Sequence, residues 1–189
     1  MIHQLFDGKF VTTTFHHPRP ILSVEYVNPF IESVNSVLET MLNCSTKRHG
    51  LVIKESKTPR YLLSALIDVT GQSDGLVVLS LSRNAAVGVL QRMLGKKASL
   101  INEDVRDAVG ELANVICGTA KAKLEHLELS IGIPKMLAGR NHILDFPVGV
   151  LPLSILFESD IGPFAIEVGF SEPYVAPDTG ENEAACVSV

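Results

Sequence analysis

The sequence predicts an α+β domain: an antiparallel six-stranded sheet with long helices packed on it, in two pseudo-symmetric halves. Three observations predict it. Strand-like runs follow one another in groups instead of alternating with helices, which argues against a parallel doubly wound sheet. Two amphipathic helices carry the same polar pattern, and each opens one group of strands. At 189 residues and 46% hydrophobic, the chain is long enough for one domain with a sizeable core.

The elements follow in chain order. Residues 1–25 form an N-terminal extension, in which "GKFVTTTF" reads as an edge strand. His16 and His17 are adjacent without a ligand pattern and read as surface histidines before Pro18 and Pro20. The main domain spans residues 26–171. Its first helix is predicted from about Asn28 to Asn43, with Asn28 as N-cap and Pro29 in the first helical position. Phe30, Val34, Val37, Leu38 and Met41 give it an apolar stripe. The runs "GLVIKES", "YLLSALIDVT" and "GLVVLSLS" read as strands, the last two joined by a "GQSD" turn. "RNAAVGVLQRMLGKK" is a shorter helix that Gly95 ends. A long helix follows, from Asn102 or Glu103 to Leu124. The runs "LELSIGI", "VGVLPLSILFE" and "PFAIEVGF" then read as strands, with "SDIG" as a second hairpin turn. Residues 172–189, polar with Gly and Pro, read as a flexible tail.

Composition narrows the function classes. A net charge of −5 disfavours nucleic acid or an anionic membrane surface as a general partner. Met1–Pro20 has no long apolar run of the secretory kind. The longest uncharged stretch, Phe146–Phe157, is short and broken by Pro147 and Pro152, so no membrane span is expected. Cys44, Cys117 and Cys186 form no CxxC or zinc spacing, and a reducing cytoplasm fits them best.

The repeat is the informative feature. The first helix carries Asn28, Glu32 and Asn35; the later one carries Asp107, Glu111 and Asn114 at the same spacing. A proline follows each, Pro59 and Pro134. On a helical wheel Val105, Val109, Leu112, Ile116 and Ala120 share one side of the later helix, and Asp107, Glu111, Asn114, Gly118 and Lys121 share the other. Gly110 and Gly118 stand beside this polar face although glycine is a poor helix residue. A missing side chain at Gly118 lets another backbone approach, so the face has the form of something that enters a partner's site. Its alternative reading is a plain solvated face. Lys121 likewise reads either as a contact for a phosphorylated surface or as an ordinary surface lysine.

The chemistry on this face is limited. There is no Ser-His-Asp set, no reactive-cysteine signature, no metal spacing and no phosphate-binding loop. An acid and an amide do not make a strong nucleophile, but they orient one. A carboxamide both donates and accepts, so it can hold a water in line with phosphorus. Phosphoryl transfer needs mostly positioning and charge neutralisation.

The stretch "DAVGELAN" (Asp107–Asn114), followed by Pro134, resembles the helix motif of the CheC/CheX/FliY phosphatases of bacterial chemotaxis. "VNPFIESVNSVLETML" is similar to the first helix of CheX-like domains, and the likeness extends from about Tyr26 to Phe170. The resemblance implies a protein that dephosphorylates the aspartyl phosphate of CheY-P or a related receiver domain. Asn114 would position the attacking water and Glu111 would hold a receiver lysine. Asp107, Gly110, Gly118 and Lys121 are the candidate partner contacts. It also implies that this chain binds no cofactor, that Mg²⁺ belongs to the receiver, and that the protein is a homodimer. Glu32 and Asn35 form a possible second, degenerate site, in which Glu39 stands where the later helix has Gly118. Two other readings stay open: a non-catalytic receiver-binding or flagellar-switch-like module, and a different hydrolase working through paired carboxylates.

Overall fold

The computed structural model describes residues 2–6, 9–13, 24–139 and 141–171. His16, His17, Cys186 and the tail 172–189 lie outside the described residues. Strands β1 (Ile2–Phe6) and β2 (Lys9–Thr13) pair with each other as a separate antiparallel hairpin. The strand expected within "GKFVTTTF" is therefore present, paired within the N-terminal extension.

The domain proper runs α1 (Val24–Leu42), β3 (Thr46–Ile53), β4 (Leu63–Thr70), β5 (Gly75–Leu81), α2 (Arg83–Leu94), α3 (Glu103–Ala122), then β6 (Ser130–Ile131), β7 (Lys135–Ala138), β8 (Leu153–Ser159) and β9 (Phe164–Phe170). The sheet has seven strands in the order β3-β8-β9-β5-β4, with β6 and β7 both against β4. Every pairing is antiparallel. Exchanging α1-β3-β4-β5 with α3-β7-β8-β9 leaves the pairing scheme unchanged. β3 lies on β8 as β7 lies on β4, the hairpins β4–β5 and β8–β9 correspond, and β5–β9 joins the halves at the centre. This supports the repeat read from the helices.

Alternation along the strands builds the core. Leu63, Ala65 and Ile67 of β4 register with Leu81, Leu79 and Val77 of β5, and these with Phe164, Ile166 and Val168 of β9. All are buried under the helices. Leu76 and Val78 face the other way and are covered by Leu144 and Phe146, so β5 is buried on both faces. In α3, Val105, Val109, Leu112, Ile116 and Ala120 are all buried, as the wheel requires. The Asn102 side chain caps that helix by accepting from the Val105 N–H at 3.1 Å. Gly95 ends α2 in the left-handed region at φ 66°.

Four expectations are corrected. Helix α1 starts at Val24, not Asn28, so Pro29 lies inside it. Val27 in the core and Tyr26 against Phe170 hold the extra turn, and the Ser33 hydroxyl donates to the Pro29 carbonyl at 2.6 Å. Met41 is exposed and Leu42 completes the stripe instead. The run "LELSIGI" supplies only the two residues of β6, after a short 3₁₀ turn (Glu125–Leu127), and β7 is an additional strand. Pro59 and Pro134 are not equivalent: Pro59 follows β3, whereas Pro134 precedes β7.

Candidate functional site

The edge beside β4 builds one wall of the site. Val69 pairs with Ile131, but Leu66 pairs with Lys135, so the edge chain holds one residue more than β4 does over the same span. The extra residue makes a bulge at Gly132–Pro134. The Gly132 N–H still reaches the Asp68 carbonyl at 2.8 Å. Pro134, without an N–H, sits where the ladder is interrupted. Ile133 is left 88% exposed at the crest.

Helix α3 is the other wall. Arg106, Asp107, Gly110, Glu111 and Asn114 face Ile131–Pro134 and Met136 across a groove of about 470 Å³. Asp107 and Glu111 are exposed and Asn114 is half-buried. Among the described residues, neither the Glu111 carboxylate nor the Asn114 carboxamide has a hydrogen-bond or ion-pair partner. Both are presented to whatever enters the groove.

Gly110 departs from the expectation of an open partner contact. It is buried, and a Cβ there would touch Met136 Sδ at 3.6 Å and Pro134 Cβ at 3.9 Å. Packing of β7 over the helix accounts for it. Gly118 fits the expectation: a Cβ there would meet nothing within 4 Å. Lys121 is exposed beyond it on the same face. Arg106 and Ile133 were not singled out by sequence. The signal for Ile133 was an isoleucine directly before a proline in a strand-like run; Arg106 gave none.

The corresponding face of α1 is differently occupied. Glu32 Oε2 accepts from Lys123 Nζ at 2.6 Å, and Asn35 Oδ1 accepts from the Thr46 hydroxyl at 2.7 Å. The hollow beside Asn35, about 420 Å³, is lined by Glu39, Asn43, Cys44, Ser45, Thr46 and Asp160. The Cys44 thiol donates to Asp160 at 2.6 Å, and Arg92 binds the same carboxylate at 2.7 Å. These two hydrogen bonds, the thiol's first, hold the Asp160 carboxyl below its ordinary value despite some desolvation. Burial, and then Asp160, push the Cys44 thiol up, so it stays a donor. Two carboxylates thus stand where a phosphoryl group would have to come.

The other chemistry-bearing groups are placed as follows. Cys117 is buried in α3 and pushed up to about 12 by desolvation, which leaves no thiolate nucleophile. No group of three or more His, Cys, Asp or Glu among the described residues is placed to hold a metal ion. Asp107 and Glu111 share the groove and both are exposed. The buried acid Glu167 lies on the far face of the sheet, bound to Lys54 at 2.8 Å. Among the described residues no helix is long and apolar enough to cross a membrane.

The fold is thus a pseudo-twofold α+β sheet in which both symmetry-related helices carry Glu-x-x-Asn, engaged within the chain on α1 and left open on α3 among the described residues. The sequence profile described as "Chemotaxis phosphatase CheX" matches residues 63–158. The CheY-P phosphatase CheX of Thermotoga maritima is 30% identical over 145 residues, covering 74% of this chain and 93% of that protein. The chain belongs to the CheX family. Its fold matches the crystal structure of the chemotaxis protein CheX from Vibrio vulnificus, with a TM-score of 0.70 and 31% identity, covering 78% of this chain and 99% of that one. The fold is also that of CheX in the CheX–CheY–BeF3–Mg²⁺ complex from Borrelia burgdorferi, at a TM-score of 0.67 and 19% identity over 79% of this chain and 100% of that one.

Proposed function

We propose that this chain is a phosphatase for the aspartyl phosphate of a CheY-like receiver, with its working site on α3 alone. The observation that carries the reading is the contrast between an unpartnered Glu111 and Asn114 in an open groove and a Glu32 and Asn35 already engaged within the chain. The Thermotoga relative acts on CheY-P, and the Borrelia protein was crystallised with CheY, BeF3 and Mg²⁺.

Asn114, rigidly mounted on α3, accepts from and donates to a water and aims its oxygen at phosphorus. A new P–O bond forms and the bond to the receiver aspartate breaks. The aspartate leaves as carboxylate, and the water's protons end on phosphate and solvent. Mg²⁺ belongs to the receiver, where it neutralises phosphoryl charge. Glu111, free and exposed, pairs with a receiver lysine and fixes the docking angle. Asp107, Gly118 and Lys121 border the contact.

The test is phosphate release from CheY of the same organism, phosphorylated with acetyl phosphate. Asn114→Ala should lower turnover by about 10²–10³, the usual cost of losing one well-placed polar contact to a reacting group, with receiver affinity kept. Glu111→Ala should weaken both affinity and turnover. Unchanged turnover in Asn114→Ala would leave a receiver-binding module instead.

The homodimer belongs to the same reading. β3 pairs with β8 on one side and with no strand on the other among the described residues. Its Leu51, Val52 and Ile53 are 43%, 46% and 49% exposed, an apolar edge that a second copy would extend and cover. Sedimentation should give a dimer, and Val52→Lys a monomer; a wild-type monomer at high concentration would refute this assembly.

A further inference from the structure

Gly118 poses a question that the fold of this chain does not answer. A glycine inside a helix costs stability relative to alanine, and a Cβ at this position would meet nothing within 4 Å. Gly110 is covered by β7; Gly118 is covered by none of the described residues. In front of it lies a trough of about 600 Å³ between the C-terminal half of α3 and the entry to β6. Ala122, Leu129 and Ile131 give it an apolar floor, and Lys121, Glu125 and Glu128 are its charged lining. Ile131 also lines the groove beside Asn114, so the two hollows are neighbours along the same side of α3.

We propose that this trough is a second docking subsite for the phosphorylated receiver. An apolar side chain bordering the receiver's phosphorylation site enters it over Gly118 while the aspartyl phosphate meets Asn114. The inference rests on the phosphatase reading. Their adjacency on one face of α3 favours one partner filling both, because a body seated against Asn114 already overhangs Gly118 one turn away. The absent side chain lets that body's backbone close onto the helix. The matching position in α1 is Glu39, and no aliphatic or aromatic side chain lines the hollow there, so it offers no apolar seat. The trough therefore contributes affinity and orientation, whereas Asn114 acts on the reacting atoms.

The experiment compares Gly118→Ala, Gly118→Leu and, filling the trough from an exposed position, Ala122→Phe. Substrate is CheY of the same organism charged with acetyl phosphate; binding is titrated separately with beryllofluoride-treated CheY and Mg²⁺. Gly118→Ala should raise the melting temperature by about 2–4 °C and yet raise KM. Gly118→Leu and Ala122→Phe should raise KM and the beryllofluoride-CheY Kd by about tenfold, with kcat within about twofold. Unchanged KM and Kd in both bulky variants would overturn the subsite, as would a fall in kcat at constant KM. Failure of the phosphatase reading is separately visible as absent phosphate release by the wild type, and the titration then still tests the docking surface.

Discussion

The two helices α1 and α3 share a pattern and a place in the fold, but differ in what surrounds them. Each buries an apolar face on the same sheet and presents Glu and Asn one turn apart. On α3 those groups have no partner among the described residues, and a bulged edge with Pro134 at its end arches beside them to make a groove. On α1 the carboxylate is held by Lys123, the carboxamide by Thr46, and Glu39 and Asp160 add negative charge. The same Glu-x-x-Asn spacing therefore ends in two different settings, because long-range neighbours engage it on α1 and leave it open and walled on α3.

The contrast can be broken from its strongest side first. Gly110→Leu inserts a side chain under Pro134 and Met136, against ordinary contact distances of 3.6 and 3.9 Å even for a Cβ. Overpacking of this kind costs about 1–3 kcal/mol and should push the groove wall outward. Urea unfolding should show the loss, and phosphate release should fall with it. Full activity in Gly110→Leu would mean that the wall does not shape the site.

A smaller effect separates the α3 groove from the far face of the sheet. Burial raises the Glu167 carboxyl above its ordinary range, and Lys54 and Arg60 offset this only in part. Among the described residues its Oε2 has no hydrogen-bond partner. A raised folded value means stability that is present below the unfolded pKa and lost as pH rises through the folded one. Glu167→Gln removes that loss. Its melting temperature relative to wild type should therefore move in the variant's favour as pH rises from the ordinary glutamate range to neutrality. The pH profile of phosphate release should not change. A pH-independent difference in melting temperature would contradict the assignment.

The smallest effect is expected at the ion pair that occupies Glu32. Lys123→Ala breaks a surface pair and should cost no more than about 1 kcal/mol. It frees the Glu32 carboxylate but leaves Asn35 bound to Thr46, so phosphate release should stay at the wild-type rate. A clear gain in turnover would show that the α1 face is only masked, and not disabled.

What was legible in the sequence was local. The twenty residues of α3 carry a strong apolar period and an Asn102 cap, so its span and its polar face could be read directly. The hairpins at "GQSD" and "SDIG" could be read as well, because turn chemistry is short-range. Pro29 misled because proline favours the first helical position, while here Val27 and Tyr26 find tertiary contacts that extend the helix upstream. β7 is four residues long and stands behind a proline, too weak a pattern to announce a strand. The groove wall needs β6, β7 and β4 brought together, and the difference between Asn35 and Asn114 needs Thr46. Neither is a property of a helical repeat.

The central claim is that one helix acts and its twin does not. Single-turnover phosphate release should be measured for Asn114→Ala and Asn35→Ala side by side, with the phosphatase in saturating excess over acetyl-phosphate-charged CheY and folding checked by melting temperature. The account predicts a loss of about 10²–10³ for Asn114→Ala and a rate within about twofold of wild type for Asn35→Ala. Equal losses in the two variants, or a larger loss at Asn35, would contradict it.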